Sequence, residues 1–142
     1  MRKDEGVWPE HLGSYHMIHR IDGKVFAVGV LDYTEEVLSS VYLFYDPAYE
    51  HLSPGTFAAV REIEYTLRVK EVFALAFKYY YMGLYFQDCQ KSVYKGSYRP
   101  SQVLCPHTYN WVYLTEEVKE RITKTKWAKL SDDKPIIKPL DF

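Results

Sequence analysis

Residues 24–45 read KVFAVGVLDYTEEVLSSVYLFY, and this stretch decides the fold. It holds two runs rich in β-branched and aromatic residues, Lys24 to Tyr33 and Val37 to Tyr45, which are typical of strands. The first run is almost continuously apolar, as is usual for a central strand. Glu35-Glu36 marks a turn between the runs, so the stretch predicts two neighbouring antiparallel strands.

The residues before and after this stretch complete a three-stranded meander. Residues 14–22 alternate between polar and apolar side chains, as a half-buried strand does. Asp22-Gly23 is a strong signal for a two-residue hairpin. Asp46-Pro47 ends the third strand, because proline has no N–H to donate to a sheet.

A helix is predicted next, over residues 54–70. Ser53 is a good N-cap residue, and Pro54 suits the first helical position. Four apolar side chains at helical spacing are expected to face the sheet: Phe57, Val60, Ile63 and Leu67. Four charged side chains are expected to face solvent: Arg61, Glu62, Arg68 and Lys70.

The rest of the chain adds two strands and one helix. A strand over 72–80 follows the helix, and a strand–helix–strand crossover makes the flanking strands parallel. Residues 82–106 predict a functional loop region with a short helix, and 107–114 predict a last strand. Thr115 caps a final helix that fades near Lys126. This order predicts an α+β fold, with a mixed, mostly antiparallel sheet and packed helices.

Length and composition fit one compact domain. The chain has 142 residues, and we expect a flexible segment over 1–12, the domain over 13–130 and an extended tail over 131–142. The two cysteines show no CxxC spacing, so no metal site is expected. The N-terminus lacks the apolar run of a signal peptide, and no apolar stretch is long enough to span a membrane. We therefore expect the protein in the cytoplasm, or in both the cytoplasm and the nucleus.

Charge is distributed unevenly along the chain. The net charge is −1, but residues 70–105 hold 5 basic and 2 acidic side chains. A locally basic segment could meet phosphate, and chance asymmetry on a solvated surface is the alternative.

Six segments carry a resemblance to a known family. They are GSYH at 13–16, DGKVFAVGVLD at 22–32, LSSVYLFYDP at 38–47, REI at 61–63, YYYMG at 79–83 and YKGSYRPSQVLCP at 94–106. In this order and spacing the chain resembles the C-terminal domain of eukaryotic arginyl-tRNA–protein transferases, over roughly residues 13–114.

The resemblance implies a GNAT-like fold, the plan of acyl-CoA N-acyltransferases, that uses arginyl-tRNA as co-substrate. It also implies arginine transfer to the α-amine of proteins that begin with Asp or Glu, which is N-degron arginylation. The resemblance implies that the reaction uses no cofactor in this chain and involves neither DNA nor a membrane. Full-length members carry an N-terminal domain with essential cysteines, which these residues do not include. The alternative is therefore a non-catalytic module that binds acidic N-termini or tRNA.

An acetyl-CoA-dependent enzyme is disfavoured. Such a site needs a glycine-rich turn whose backbone N–H groups hold pyrophosphate at the start of the helix. Residues 49–55 read YEHLSPG, with one glycine, a proline that removes a donor and a glutamate that repels phosphate.

The chemistry implied by the resemblance needs no protein nucleophile, because the ester that joins arginine to tRNA is already activated. It needs positioning, removal of a proton from the amine and support for the oxyanion. Asp32, Tyr81 and Tyr42 are the candidate catalytic residues. Asp32 could bind the guanidinium group or take a proton, and a plain hairpin-end carboxylate is the alternative. His16 and His19 could each act as a base, although a structural role is the simpler reading.

Substrate binding is expected from hydroxyl, aromatic and cationic side chains. The acidic target residue and tRNA phosphate call for cations, and unpaired bases call for aromatic platforms. Because neighbours on a strand alternate between faces, one of two adjacent serines and some of three adjacent tyrosines belong to the core. The candidates are Ser39, Ser40, Tyr45, Lys78, Tyr79, Tyr80, Lys95, Tyr98 and Arg99.

Overall fold

The computed structural model describes residues 12–72, 77–125 and 127–133. The chain divides into two compact units, Met1–Gly83 and Leu84–Phe142, which are described separately. The predictions for residues 1–11 and for the tail from residue 134 onward lie outside the described residues.

The first unit is a four-stranded sheet with one long helix. Its elements are β1 (Gly13–Ile21), β2 (Lys24–Tyr33), β3 (Val37–Tyr45), α1 (Pro54–Val72) and β4 (Tyr79–Tyr81). The sheet order is β1-β2-β3-β4, with the first three strands antiparallel and β4 parallel to β3. Asp22 and Gly23 both adopt positive φ in the β1–β2 hairpin, as a tight hairpin turn requires. The predicted meander and crossover are confirmed.

A 3-10 turn, Pro47–Leu52, connects β3 to α1. The Asp46 side chain accepts a hydrogen bond from the Ala48 N–H at 2.9 Å, so Asp46 caps this turn. Ser53 adopts the left-handed conformation at the end of the turn, and α1 begins at Pro54, as predicted.

The strand predicted over 72–80 is wrong at its first residue, and its part over 73–76 lies outside the described residues. Val72 is the last residue of α1, and β4 has only three residues. Val69 is fully buried in the core, so packing extends the helix through residues whose intrinsic preference favours strands.

The predicted orientation of α1 is also wrong. Phe57, Val60 and Leu67 are 42%, 51% and 57% exposed, and Ile63 is half-buried. The helix instead turns these side chains toward the interior: Pro54, Ala58, Ala59, Glu62, Thr66 and Val69. Small side chains at Ala58 and Ala59 let the helix backbone approach the sheet closely, which outweighs burial of the larger apolar side chains.

The core of the first unit lies between α1 and the sheet. Leu31, Leu38, Val69 and Phe77 form its buried centre. The rings of Tyr33 and Phe77 stack with centroids 4.7 Å apart. This packing fixes the side of the sheet on which each strand residue lies relative to α1.

The second unit consists of short elements: α2 (Gln90–Val93), a 3-10 turn (Tyr94–Ser97), β5 (Gln102–Leu104), β6 (Trp111–Tyr113) and α3 (Glu116–Lys124). The strand predicted over 107–114 is therefore shorter than expected. Its antiparallel partner β5 was missed, because it lies in the segment assigned to loop. The Thr115 side chain accepts from the Val118 N–H and caps α3, as predicted. Cys105, Leu114, Val118 and Leu130 form the buried core.

The α+β class with a mixed, mostly antiparallel sheet is confirmed. In the part of the chain that the structure describes, no helix has the length and apolar character needed to cross a bilayer.

Candidate functional site

The parallel strands β3 and β4 are paired along only a short part of β3. Val37 to Ser39 pair with Tyr79 to Tyr81, and β3 then continues to Tyr45. From Ser40 onward β3 has β2 on one side and no described strand on the other. We call this place the β3–β4 fork and define it by Ser39, Ser40, Tyr80 and Tyr81. Backbone groups at such strand ends are available to ligands, because no sheet partner takes them.

A β-bulge beside the fork changes the face of the following residues. The β2–β3 register passes from Leu31 opposite Ser40 to Val30 opposite Tyr42, so Val41 is the extra residue. Leu31 faces α1 in the core, and Ser40 shares that side. Tyr42 shares the opposite side with Val30, since a bulge shifts the alternation by one residue.

Five of the predicted residues share the sheet face that points away from α1. Asp32 lies opposite Ser39 in the β2–β3 register, and Tyr81 lies beside Ser39 on β4. The Ser14 hydroxyl donates to Asp32 Oδ1 at 2.6 Å. Tyr42 is 64% exposed on the same face. The five are Asp32, Ser39, Tyr42, Tyr79 and Tyr81.

The other face of the fork holds Ser40 and Tyr80 against α1. Tyr80 is the register partner of Leu38, so its ring belongs to the core side of the sheet. Tyr45, the last residue of β3, pairs with Ala27, which is also on the α1 side. The expectation that adjacent serines and tyrosines divide between the two faces is therefore met.

The structure adds Glu62 of α1 to the fork, a residue predicted to face solvent. Glu62 is 1% exposed, and the Tyr80 hydroxyl donates to its Oε2 at 2.6 Å. The Ser40 hydroxyl also hydrogen-bonds the Glu62 carboxylate. Glu62 Oε1 lies over Gly29 of β2, where a built Cβ would be 2.9 Å from it. Glycine at this position is what gives the carboxylate room.

Burial raises the pKa of the Glu62 carboxyl above its ordinary value, and the hydrogen bonds from Tyr80 and Ser40 counteract this in part. A buried carboxylate costs free energy unless donors satisfy it, and here two hydroxyls do so. The sequence holds one signal for this arrangement. A glycine inside a central strand, such as Gly29, marks a close approach of another group.

The predicted cations lie in different surroundings. Lys78 is exposed next to β4, with Nζ 6.0 Å from the centroid of the Tyr79 ring. In the second unit, Lys95 Nζ donates to the Leu84 carbonyl at 3.0 Å, and burial lowers its pKa. Arg99 donates to the Leu114 carbonyl and pairs with Glu116 at 3.2 Å.

Tyr98, the remaining candidate, also belongs to the second unit. Its ring meets Tyr94 edge-on, with centroids 6.4 Å apart. Burial raises the pKa of Tyr98, and its hydroxyl finds no hydrogen-bond partner among the described residues.

The two histidines of β1 differ in burial. His16 is exposed, whereas His19 is buried between the Phe26 and Phe57 rings, with its Nε2 unpaired within the described ranges. Burial, and then the charge of Arg61, lower the pKa of His19. Neither lies at the fork in the sheet register.

Comparison with known families identifies the family to which the chain belongs. Residues 4–105 match the family model described as arginine-tRNA-protein transferase, C terminus. The chain belongs to this family. The matched residues of this arginine-tRNA-protein transferase segment include every predicted site residue, from Asp32 to Arg99, and also Gly29 and Glu62.

Curated relatives agree with the family. The chain is 39% identical to arginyl-tRNA–protein transferase 1 of Drosophila melanogaster, over 92% of this chain and 31% of the relative. It is 43% identical to arginyl-tRNA–protein transferase 1 of Arabidopsis thaliana, over 91% of this chain and 20% of the relative. It is 39% identical to aspartate/glutamate leucyltransferase of Pseudomonas fluorescens, over 67% of this chain and 37% of the relative. The chain thus spans about a fifth to a third of the length of the first two.

Proposed function

We propose that the chain transfers arginine from arginyl-tRNA to the α-amine of proteins with an acidic N-terminal residue. The observation that carries this proposal is the family match over residues 4–105, which includes all the candidate site residues. The names of the relatives support transfer of an aminoacyl group, and the name aspartate/glutamate leucyltransferase supports an acidic acceptor.

The fold proposed for this reaction is GNAT-like. Three features support this fold: the meander, the crossover helix and the parallel strand β4, whose pairing with β3 ends at Ser39 and Tyr81. In this arrangement the β3–β4 fork is where the ester carbonyl meets the acceptor amine. We place the reaction in the cytoplasm, or also in the nucleus, with arginyl-tRNA as co-substrate and no cofactor.

The reaction exchanges one acyl bond for another. The amine nitrogen forms a bond to the arginine carbonyl carbon, and the bond from that carbon to the tRNA ribose oxygen breaks. The amine loses one proton, and the ribose oxygen gains one. The proposed roles are guanidinium binding or proton removal for Asp32, with Tyr42 and Tyr81 on the same face of the sheet to stack on the terminal base or donate to the oxyanion.

The proposed binding groups are the remaining candidates. Lys78 is exposed and suits the acidic side chain of the acceptor, whereas Arg99 is already paired with Glu116 and would have to exchange partners. Substrate contacts are proposed for Ser39, Ser40, Tyr45, Lys78, Tyr79, Tyr80, Lys95, Tyr98 and Arg99.

A transfer assay tests the function. The chain is incubated with tRNA charged with radiolabelled arginine and a peptide that begins with Asp, and label in the peptide is measured over time. Matched peptides begin with Gly or carry an acetylated Asp, and tRNA charged with leucine replaces arginyl-tRNA in a parallel series. We expect label in the Asp peptide and none in the acetylated one.

The outcomes separate the alternatives. Absence of transfer to every peptide, with retained binding of the Asp peptide or tRNA, would establish the non-catalytic module, which the names of the relatives do not favour. Transfer from leucyl-tRNA in preference to arginyl-tRNA would reject arginine as the donor amino acid. Stabilisation by acetyl-CoA would return the chain to the acetyltransferases.

A further inference from the structure

We propose that Glu62 and Tyr80 form a proton relay for the transfer reaction, in which Tyr80 contacts the acceptor amine and Glu62 acts through Tyr80. This inference rests on the proposed function and assigns its proton-transfer step to residues on the α1 side of the fork. Tyr80 is the catalytic residue of the pair, and Glu62 is the positioning residue.

The location of Tyr80 connects the buried carboxylate to the fork. Tyr80 lies on β4 one residue before the pairing of β3 and β4 ends. Its hydroxyl is 2.6 Å from Glu62 Oε2, and the residue is only partly buried. Glu62 itself is 1% exposed, so a substrate reaches its carboxylate only through a neighbouring side chain.

The surroundings of Glu62 are built to hold one orientation. Tyr80 and Ser40 donate to the carboxylate from two different strands, and Gly29 of a third strand leaves space for Oε1. Among the described residues the Glu62 carboxylate forms no ion pair, and its side-chain hydrogen bonds come from hydroxyl groups. Burial without a cation raises the pKa of the carboxyl, which makes it a better proton acceptor at neutral pH.

The relay moves a proton from the amine to Glu62 in two transfers, and a proton from Glu62 to the ribose oxygen in two more. When the amine attacks the ester carbonyl, a proton passes from the amine nitrogen to Tyr80 Oη while the Tyr80 proton passes to Glu62 Oε2. When the bond to the ribose oxygen breaks, the proton of Glu62 returns to Tyr80 Oη, and Tyr80 gives one proton to the ribose oxygen. Both side chains end in their starting states.

The test compares three single variants, and the double variant of Glu62 and Tyr80, with the wild-type chain. Glu62→Gln keeps the size and the hydrogen-bond acceptor but cannot take a proton. Tyr80→Phe removes only the hydroxyl. Glu64→Gln is the matched control, because Glu64 lies on the same helix but is ion-paired with Arg61 and Arg68 on the exposed side.

Steady-state transfer with the Asp peptide is measured together with the thermal unfolding of each variant. We expect Glu62→Gln and Tyr80→Phe each to lower kcat by about 100-fold or more, which is the usual contribution of general acid–base catalysis. The KM for arginyl-tRNA should stay within about threefold, because neither group binds the tRNA in the ground state. The double variant should fall no further than the more impaired single variant, since both act in one relay. Glu64→Gln should leave kcat unchanged.

Each result decides the question. A wild-type chain without any transfer overturns the proposed function and this role with it. A transferring wild type with undiminished kcat in Glu62→Gln overturns the role of Glu62 alone. If Glu62→Gln does not fold, Tyr80→Phe decides, and normal kcat in that variant rejects the relay. A loss that appears in KM rather than kcat identifies a structural contribution and also rejects it.

Discussion

Replacing Gly29 by Ala is expected to destabilise the first unit through Glu62. The added Cβ would lie 2.9 Å from Glu62 Oε1, which is closer than such atoms approach in folded proteins. Gly29 is not among the residues with positive φ, so alanine introduces no backbone strain of its own. In the folded state the effect therefore comes from the displacement of the carboxylate.

The magnitude follows from how Glu62 is held. Oε1 is the end of a flexible side chain, and in an exposed residue it would turn aside at little cost. Glu62 is buried, and Tyr80 holds its other oxygen at 2.6 Å, so movement breaks this hydrogen bond. A buried polar group left unpaired costs about 1–3 kcal/mol. Alanine also lowers the conformational entropy of the unfolded chain, which stabilises the folded state by about 0.4–1 kcal/mol. The central values of these two ranges, about 2 and about 0.7 kcal/mol, leave a net loss in the free energy of unfolding of roughly 1 kcal/mol.

Urea unfolding followed by far-UV circular dichroism measures this change, because the 19-residue α1 dominates the helical signal. A second substitution, Glu62→Asp, shortens the side chain and should relieve the clash. The double variant should then be more stable than the sum of the single changes predicts, by about 1 kcal/mol. Glu64→Asp, on the exposed side of α1, should give no such rescue. Equal stability of Gly29→Ala and the wild type would refute the reasoning, as would equal rescue by Glu64→Asp.

Three further predictions concern other residues. Burial lowers the pKa of His19 below 6.5, so the unfolded chain binds more protons as the pH falls through that value, and stability falls with it. His19→Phe should reduce this loss in urea unfolding between neutral and mildly acidic pH. Thr115→Ala removes the cap on the Val118 N–H and should cost about 1 kcal/mol in the free energy of unfolding, also measured with urea. Cys89 is exposed and Cys105 is buried, so mass spectrometry after alkylation of the native chain should find label on Cys89 alone.

Specific outcomes would contradict each of these. The His19 reasoning fails if the variant and the wild type lose stability equally on acidification. The cap contributes nothing if Thr115→Ala unfolds at the wild-type urea concentration, with Thr123→Ala on the exposed end of the same helix as the control. Alkylation of Cys105 at the same rate as Cys89, before unfolding, would show that its burial is transient.

The meander could be predicted from the sequence because its signals are local. The strands alternate or run apolar over nine or ten residues each, and Asp22-Gly23 specifies the hairpin turn between β1 and β2. The strand β6 was predicted, although too long, but its partner β5 could not be predicted, since a strand of three residues is too short to show a period. Tyr79–Tyr81 has the same length, and only its place after a crossover helix made a parallel strand predictable.

The side of α1 that faces the sheet could not be predicted from the helical period alone. Two sets of side chains on this helix share a helical period, the large apolar set of Phe57, Val60 and Leu67 and the smaller set that includes Ala58 and Glu62. Hydrophobicity favours burying the first set. The sheet favours the second, because Gly29 offers space for one side chain and the small residues allow close contact.

The division of the candidate site residues between the two faces of the sheet depends on a β-bulge, which strand patterns do not encode. Asp32 and Ser39 fall on one face because two strands with period two and one register suffice to place them together. The next pair differs, because the extra residue at Val41 turns Tyr42 away from the side of Ser40. Nothing in a run of β-forming residues says where a bulge falls, since every residue of VLSSVYLFY suits a strand. The bulge lies two residues beyond Ser39, where the pairing of β3 with β4 ends, so the pattern fails close to the place where Tyr80 contacts Glu62.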